Sequence, residues 1–94
     1  MELPATIKIG GHIYRVSTSN TMARDSDAYG SSCGNALEII IDTTVPEQNQ
    51  QSALLHEILE QINYRYELGL EHWQITILES ALYQVLRDNN LNFR

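Results

Sequence analysis

The sequence is poor in cysteine, in basic residues and in long hydrophobic runs. Its single cysteine, Cys33, excludes an internal disulfide and fits a cytoplasmic setting. Six Lys and Arg residues stand against twelve Asp and Glu residues, which gives a formal net charge of −6. The basic residues are scattered, which argues against nucleic acid as a partner, because phosphate binding needs clustered positive charge. No apolar stretch approaches the ~20 residues that span a membrane, and no signal peptide is visible, so no membrane association is expected.

The 94 residues predict a single domain over residues 1–94 with a small core. Two short alternating runs, residues 6–9 and 12–16, flank a Gly-Gly dipeptide, which is typical of a β-hairpin. Residues 36–42 are rich in β-branched side chains and predict a third, central strand. The polar segment 18–35 between them reads as a long loop, either a binding loop or a plain connection. The apolar face of the hairpin is predicted to comprise Leu3, Ile7, Ile9 and Ile13.

The second half of the chain predicts two helices. The first begins at Thr44, with Glu47 three positions later as in a capping box, and runs to about Leu68, with Gly69 as its C-terminal cap. The second covers residues 73–88, and residues 89–94 form a tail. A connection of about four residues makes the helices antiparallel neighbours. The fold class is therefore α+β: a small antiparallel sheet of about three strands with two antiparallel helices on one face. The predicted apolar stripes are Leu55, Ile58, Leu59, Ile62 and Tyr66 on the first helix, and Ile75, Leu78, Leu82, Val85 and Leu86 on the second.

The candidate chemistry lies in the first helix, in the run His56-Glu57-Ile58-Leu59-Glu60. His56 and Glu60 are one turn apart on the same helix face, where an imidazole and a carboxylate can hold one metal ion. Glu57 occupies the position of the base in an H-E-x-x-H helix, which activates a metal-bound water. Here the second histidine is a glutamate. The alternative is that the run is a solvated polar flank of an amphipathic helix.

A catalytic metal site usually has a third protein ligand. Glu79, at the edge of the buried face of the second helix, is the first candidate, because a lone carboxylate there is costly without a partner. His72, at the start of the second helix, is the alternative third ligand, or it caps that helix. Zinc is the first candidate for the ion, and a donor set with two carboxylates also suits manganese or iron. A metal-free scaffold is the other reading.

The order of hairpin, loop, strand, helix with Leu55-His56-Glu57-Ile58, and helix with Glu79 resembles small zincin-like proteins of the ImmA/IrrE metallopeptidase type. Residues 54–60 and 82–89 are more closely similar to short proteins encoded by bacteriophages and prophages of Gram-positive bacteria. The resemblance implies metal ligands at His56, Glu60 and Glu79 and a general base at Glu57. Glu60 departs from the histidine of the metallopeptidases, so the motif is a degenerate HExxE.

Two functions follow as hypotheses from these observations. The first is a phage or prophage accessory protein with a degenerate zincin-like fold, which binds a protein partner in the cytoplasm of the host cell. The alternative is a minimal metal-dependent peptidase that acts on a peptide substrate with Glu57 as general base. A Glu57→Gln variant separates the two, because only the enzyme needs that carboxylate.

Overall fold

The computed structural model describes residues 3–26 and 28–91, so residues 92–94 of the predicted tail lie outside the described part. The predicted α+β class is confirmed: a mixed sheet is followed by two long helices. The described residues form β1 (Thr6–Ile9), β2 (His12–Ser19), α1 (Met22–Ser26), β3 (Gly30–Cys33), β4 (Glu38–Asp42), α2 (Glu47–Tyr66) and α3 (His72–Asp88).

The sheet has four strands in the order β1-β2-β4-β3. The β1–β2 and β3–β4 pairs are antiparallel, whereas β2 and β4 run parallel. The predicted sheet had about three strands, all antiparallel, and the predicted loop 18–35 in fact contributes the end of β2, α1 and β3. Parallel neighbours need a crossover of a dozen or more residues. Residues 20–37 supply that crossover and carry β3 to the outer side of β4.

The β1–β2 hairpin turns at two glycines with φ of 56° and 80°, as a type I′ turn requires. This turn sets the register, with Ile7 opposite Tyr14 and Lys8 opposite Ile13. Cross-strand partners share a face of the sheet. Tyr14 is therefore fully buried, while Ile13 is 56% exposed. The prediction that Ile13 belongs to the apolar face is wrong by one residue, which in a strand means the opposite face.

Helix α2 lies across one face of the sheet and contacts β1, β3 and β4. Its most buried positions include Ala53, Glu57 and Gln61, which are spaced by four residues and so lie on one helix face. Ile58 and Ile62 of the predicted apolar stripe do pack against the core of the sheet, but the face of α2 that meets the sheet also carries the buried polar residues Glu57 and Gln61, which the prediction did not include. Tyr66, from the predicted stripe, is 62% exposed. The buried apolar cluster consists of Ile9, Tyr14, Ile39, Ile41, Ala53 and Leu54.

Helix α3 packs against α2, and within the described residues only Ile75 of this helix is buried. Leu78, Leu82 and Val85 were predicted to be buried, yet each remains about two-fifths exposed. The reason is that α3 packs against α2 on one side, and the part of the chain that the structure describes forms no second layer on the other. Among the described residues, no helix combines the length and apolarity needed to cross a bilayer.

The start of α2 differs from the predicted capping box. Pro46 is the residue before the helix, and it provides no side-chain cap. Thr44 donates its backbone N–H (2.7 Å) and its hydroxyl (2.6 Å) to Asp42 instead. At the other end the helix closes on Glu67, which adopts the left-handed conformation with φ of 50°, and Gly69 follows with φ of 73°. Both reversals turn the chain back along α2 into α3.

Candidate metal centre

Three predicted site residues meet where α2 passes the start of α3. His56 Nε2 lies 3.8 Å from Glu60 Oε2, and His72 Nδ1 lies 3.5 Å from the same oxygen. Ligand atoms of these three residues all lie within 4.8 Å of one another. The i, i+4 spacing on α2 places the first two side chains together, and the turn between the helices adds the third. The structure thus forms a cluster able to hold one metal ion.

The donor set fits a small divalent cation. Donor atoms about 2.0–2.1 Å from a tetrahedral ion are about 3.3 Å apart, close to the separations seen around Glu60 Oε2. Three carboxylates, of Glu57, Glu60 and Glu79, line the same cavity, and none of its described lining residues is Lys or Arg. Carboxylates that share one cavity favour a bound cation, because the positive charge of the ion relieves their mutual repulsion. Imidazole and carboxylate donors suit zinc, manganese or iron.

The predicted third ligand, Glu79, contacts the other nitrogen of the His56 ring. Its Oε1 lies 3.3 Å from His56 Nδ1, and both side chains are mostly buried. A carboxylate this close to Nδ1 can orient the imidazole ring, so that Nε2, on the side of Glu60, is the nitrogen available to a metal ion. The alternative third ligand, His72, is the one that completes the cluster. Ligation by Glu79 stays a prediction.

His72 does not cap its helix. Glu71 is the N-cap of α3 and forms a reciprocal capping box with Gln74. The His72 side chain is 74% exposed and its ring meets the His56 ring edge-on, with centroids 5.1 Å apart. The imidazole is therefore available to a ligand at the mouth of the cavity.

Glu57, the predicted base, lies in the wall of the same cavity and is 8% exposed. Ser32 of β3 donates its hydroxyl hydrogen to Glu57 Oε1 at 2.7 Å. Burial raises the pKa of the Glu57 carboxyl, while the Ser32 hydrogen bond and the nearby His56 act in the opposite direction. A carboxylate with a raised pKa is a better proton acceptor at neutral pH than an exposed one.

The cavity has a volume of about 410 Å³ and lies between the edge strand β3 and the two long helices. Gly30 of β3 permits the close approach of helix α2 to this strand. A Cβ at Gly30 would lie 3.3 Å from Glu57 Cγ and 3.2 Å from Ile41 Cδ1, so a side chain there would press on the base. The polar segment 18–35, predicted to be a loop, therefore contributes one wall of the cavity through β3 and the residues before it.

Several residues of the site escaped sequence reasoning. Glu57 is linked through Ser32 to Gln61, Tyr14 and Arg65 by a continuous series of hydrogen bonds. One signal was present in the sequence. Glu57, Gln61 and Arg65 recur at intervals of four residues, so they share one face of α2. Such a polar stripe towards a sheet indicates buried hydrogen-bond partners.

No protein-family model, curated protein or solved structure matches the chain.

Proposed function

We propose that this protein is a metal-dependent hydrolase that cleaves an amide bond, with His56, Glu60 and His72 as ligands and Glu57 as general base. The observation that carries the proposal is the convergence of these four side chains in one cavity. Glu79 serves as the carboxylate that orients His56. The zincin-like, phage-derived and cytoplasmic character implied by the motif belongs to the same proposal.

The chemistry follows from the position of each group. A bound divalent cation supplies Lewis acidity, which makes a water more acidic and polarises a carbonyl. Glu57 accepts the proton that the attacking water loses, and it then gives that proton to the leaving nitrogen. The new C–O bond replaces the C–N bond, so that the products are a carboxylic acid and an amine. His56 would offer Nε2 to the ion, while Glu79, 3.3 Å from Nδ1, orients the ring.

An extended peptide suits the surface beside the cavity. Within the described residues β3 pairs with β4 along one edge and with no strand along the other. An unpaired strand edge offers backbone groups that bind an extended chain as an additional strand. Tyr29 and Gly30, at the start of β3, border the cavity. A peptide along this edge would bring one of its amide bonds to Glu57.

Metal content, measured by elemental mass spectrometry on untagged protein, tests the proposal. We expect near-stoichiometric zinc, manganese or iron in the wild type and a loss in His56→Ala and His72→Ala. His12→Ala is the matched control. His12 is an exposed histidine of the β1–β2 hairpin that contacts the Gly10 carbonyl, and it does not line the cavity. The variant should retain the metal. Wild-type protein that takes up none of these ions after incubation would contradict the proposal.

Partner binding is the second candidate, favoured by the exposed apolar face of α3. Trp73 is 62% exposed and Ile77 is 59% exposed, and their i, i+4 spacing places both on one face of the helix. Exposed apolar patches of this kind often mark interaction surfaces. If binding is the function, Glu57→Gln is indistinguishable from wild type in every functional assay, whereas Ile77→Asp is impaired. If hydrolysis is the function, the two variants exchange these outcomes.

A further inference from the structure

We propose that a one-way hydrogen-bond chain, running from Arg65 to Ser32, positions the Glu57 carboxylate for proton transfer. This inference rests on the proposed hydrolase for its purpose, but the chain itself can be tested without activity. None of its members was suggested by the HExxE motif, and they come from β2, β3 and α2.

The chain has four links. Arg65 Nε donates to the Tyr14 hydroxyl oxygen at 2.8 Å, and that hydroxyl donates to Gln61 Oε1 at 2.7 Å. Gln61 Nε2 donates to Ser32 Oγ at 2.9 Å, and the Ser32 hydroxyl donates to Glu57 Oε1 at 2.7 Å. Every distance lies in the range of a good hydrogen bond. A permanent cation is thereby connected to a carboxylate through three neutral groups.

The direction of the chain is set by Arg65. A guanidinium has donors and no acceptor, so the oxygen of Tyr14 must accept and its hydrogen must point to Gln61. The Gln61 amide then presents its oxygen to Tyr14 and its NH2 to Ser32. Ser32 in turn has its hydrogen free for Glu57. Groups polarised in one direction strengthen one another, and a low-dielectric interior enhances the effect.

Burial makes this arrangement rigid. Tyr14 is fully buried, and Gln61 and Glu57 are 6% and 8% exposed. Among the described residues no buried side-chain nitrogen or oxygen lacks a hydrogen-bond partner. Arg65 is itself fixed, because its Nη2 donates to the Gly34 carbonyl at 2.8 Å. A flip of the Gln61 amide would place donors opposite donors, which the buried site disfavours.

The consequence for Glu57 is a defined orientation. Its Oε1 accepts from Ser32, which limits rotation of the carboxylate about its last bond. Oε2 is left for water or substrate in the cavity. A base held in this way loses less conformational freedom when it reacts than a base on a free side chain. Arg65, Tyr14, Gln61 and Ser32 are therefore positioning residues, acting through one another on Glu57.

Two Tyr→Phe variants form the central test. Tyr14→Phe removes the hydroxyl that links Arg65 to Gln61. Tyr64→Phe is the matched control, because Tyr64 also stacks under the Arg65 guanidinium (5.2 Å, against 5.5 Å for Tyr14). The Tyr64 hydroxyl donates to Asn35, which is not part of the hydrogen-bond chain that leads to Glu57. The first readout is the side-chain carboxyl ¹³C resonance of Glu57, identified by its loss in Glu57→Gln.

We expect Tyr14→Phe to shift the Glu57 carboxyl resonance and to expose the Gln61 side-chain amide hydrogens to exchange. Tyr64→Phe should leave both signals as in the wild type. For hydrolysis, Tyr14→Phe should lower kcat about ten-fold with KM unchanged. Ser32→Ala should have the same effects. Ser32→Thr, which retains the hydroxyl, should show the signals and the kcat of the wild type.

Unchanged Glu57 and Gln61 signals in folded Tyr14→Phe would overturn the chain, whatever the activity. Equal effects of the two Tyr→Phe variants would overturn it as well, because they would indicate a merely structural role. Failure of the hydrolase proposal looks different. In that case the wild type neither binds metal nor cleaves peptides, while the two resonances still respond to Tyr14→Phe and not to Tyr64→Phe.

Discussion

Two neighbouring stripes of helix α2 carry polar side chains with the same four-residue spacing, but they are satisfied in opposite ways. Glu57 and Gln61 face the sheet and have partners at 2.7–2.9 Å within the protein. His56 and Glu60 face α3, and their contacts are longer, at 3.3–3.8 Å. The polar groups of the first stripe are hydrogen-bonded within the protein. The second, which we call the open stripe, brings potential metal-ligand atoms together at these longer separations.

The difference separates positioning from binding. A buried polar network with every group satisfied specifies one arrangement of its side chains. A cluster of ligand atoms held slightly apart retains the ability to accept an ion. The base Glu57 and the ligand His56 are adjacent in sequence, yet consecutive residues project about 100° apart around a helix, which gives them different neighbours. Substitutions on the two stripes should therefore affect different measurements.

The largest effect is expected for the base. Glu57→Gln should lower kcat for peptide hydrolysis by about 10²–10⁴-fold, because glutamine cannot accept the proton. Its metal content should match that of the wild type, since the glutamine side chain can still accept from Ser32. The measurement is steady-state kinetics together with elemental analysis. Loss of metal in this variant would place Glu57 among the ligands and end the distinction between the stripes.

The next effect concerns stability of the metal-free protein. Gln61→Ala leaves the Tyr14 hydroxyl and Ser32 without their buried partner, and it should lower the free energy of unfolding by about 2 kcal/mol. Glu60→Ala, on the open stripe, should change it by about 0.5 kcal/mol or less. Chemical denaturation in the presence of a chelator measures both. Similar values for the two variants would show that the open stripe contributes to the fold as well.

Glu79 gives a smaller effect, on affinity. Because Glu79 orients His56, the substitution Glu79→Gln should weaken metal binding about ten-fold. Glu67→Gln, at the exposed end of α2, is the control and should leave the Kd unchanged. Competition with a chromophoric chelator supplies the Kd. A loss as severe as that in His72→Ala would instead make Glu79 a direct ligand, as the sequence predicts.

The smallest effect lies in acid and compares two buried carboxylates. Hydrogen bonds from Thr44 and from the Ala23 backbone hold the pKa of Asp42 below its ordinary value, whereas burial raises that of Glu57. A carboxyl whose pKa is lowered by folding stabilises the protein at pH values above its ordinary pKa. This stabilisation is lost as the pH falls through the folded-state pKa. Wild-type protein should therefore lose stability more steeply in acid than Asp42→Asn. Parallel curves of Tm against pH would exclude this role for Asp42.

The elements with strong periodic patterns were predictable. The hairpin, β4 and both long helices follow from alternation, β-branched runs and four-residue spacing, and the observed helix ends lie within three residues of those expected. Strand β3 was not predictable, because Gly30–Cys33 is short and polar and is recognised by its pairing with β4 alone. The parallel β2–β4 pair escaped for the same reason: nothing local encodes a non-local partner.

The site was predictable to the extent that one helix encodes it. His56, Glu57 and Glu60 came from a contiguous motif, and His72 and Glu79 from their places on the following helix. Ser32, Tyr14 and Arg65 were not found, because their relation to Glu57 exists only after three separate segments pack together. The apolar face of α3 was misassigned because periodicity shows that a face is apolar, but not whether anything covers it.

The origin of the positioning chain in separate segments has a consequence for the order of folding. Tyr14 belongs to the β1–β2 hairpin and Ser32 to the β3–β4 hairpin, each of which closes through local contacts. Gln61 joins the two only after α2 has docked on both. Local pairings form early, and contacts between distant segments form late. We therefore expect a φ-value near zero for Tyr14→Phe, which would mean that the base is placed in a late step of folding.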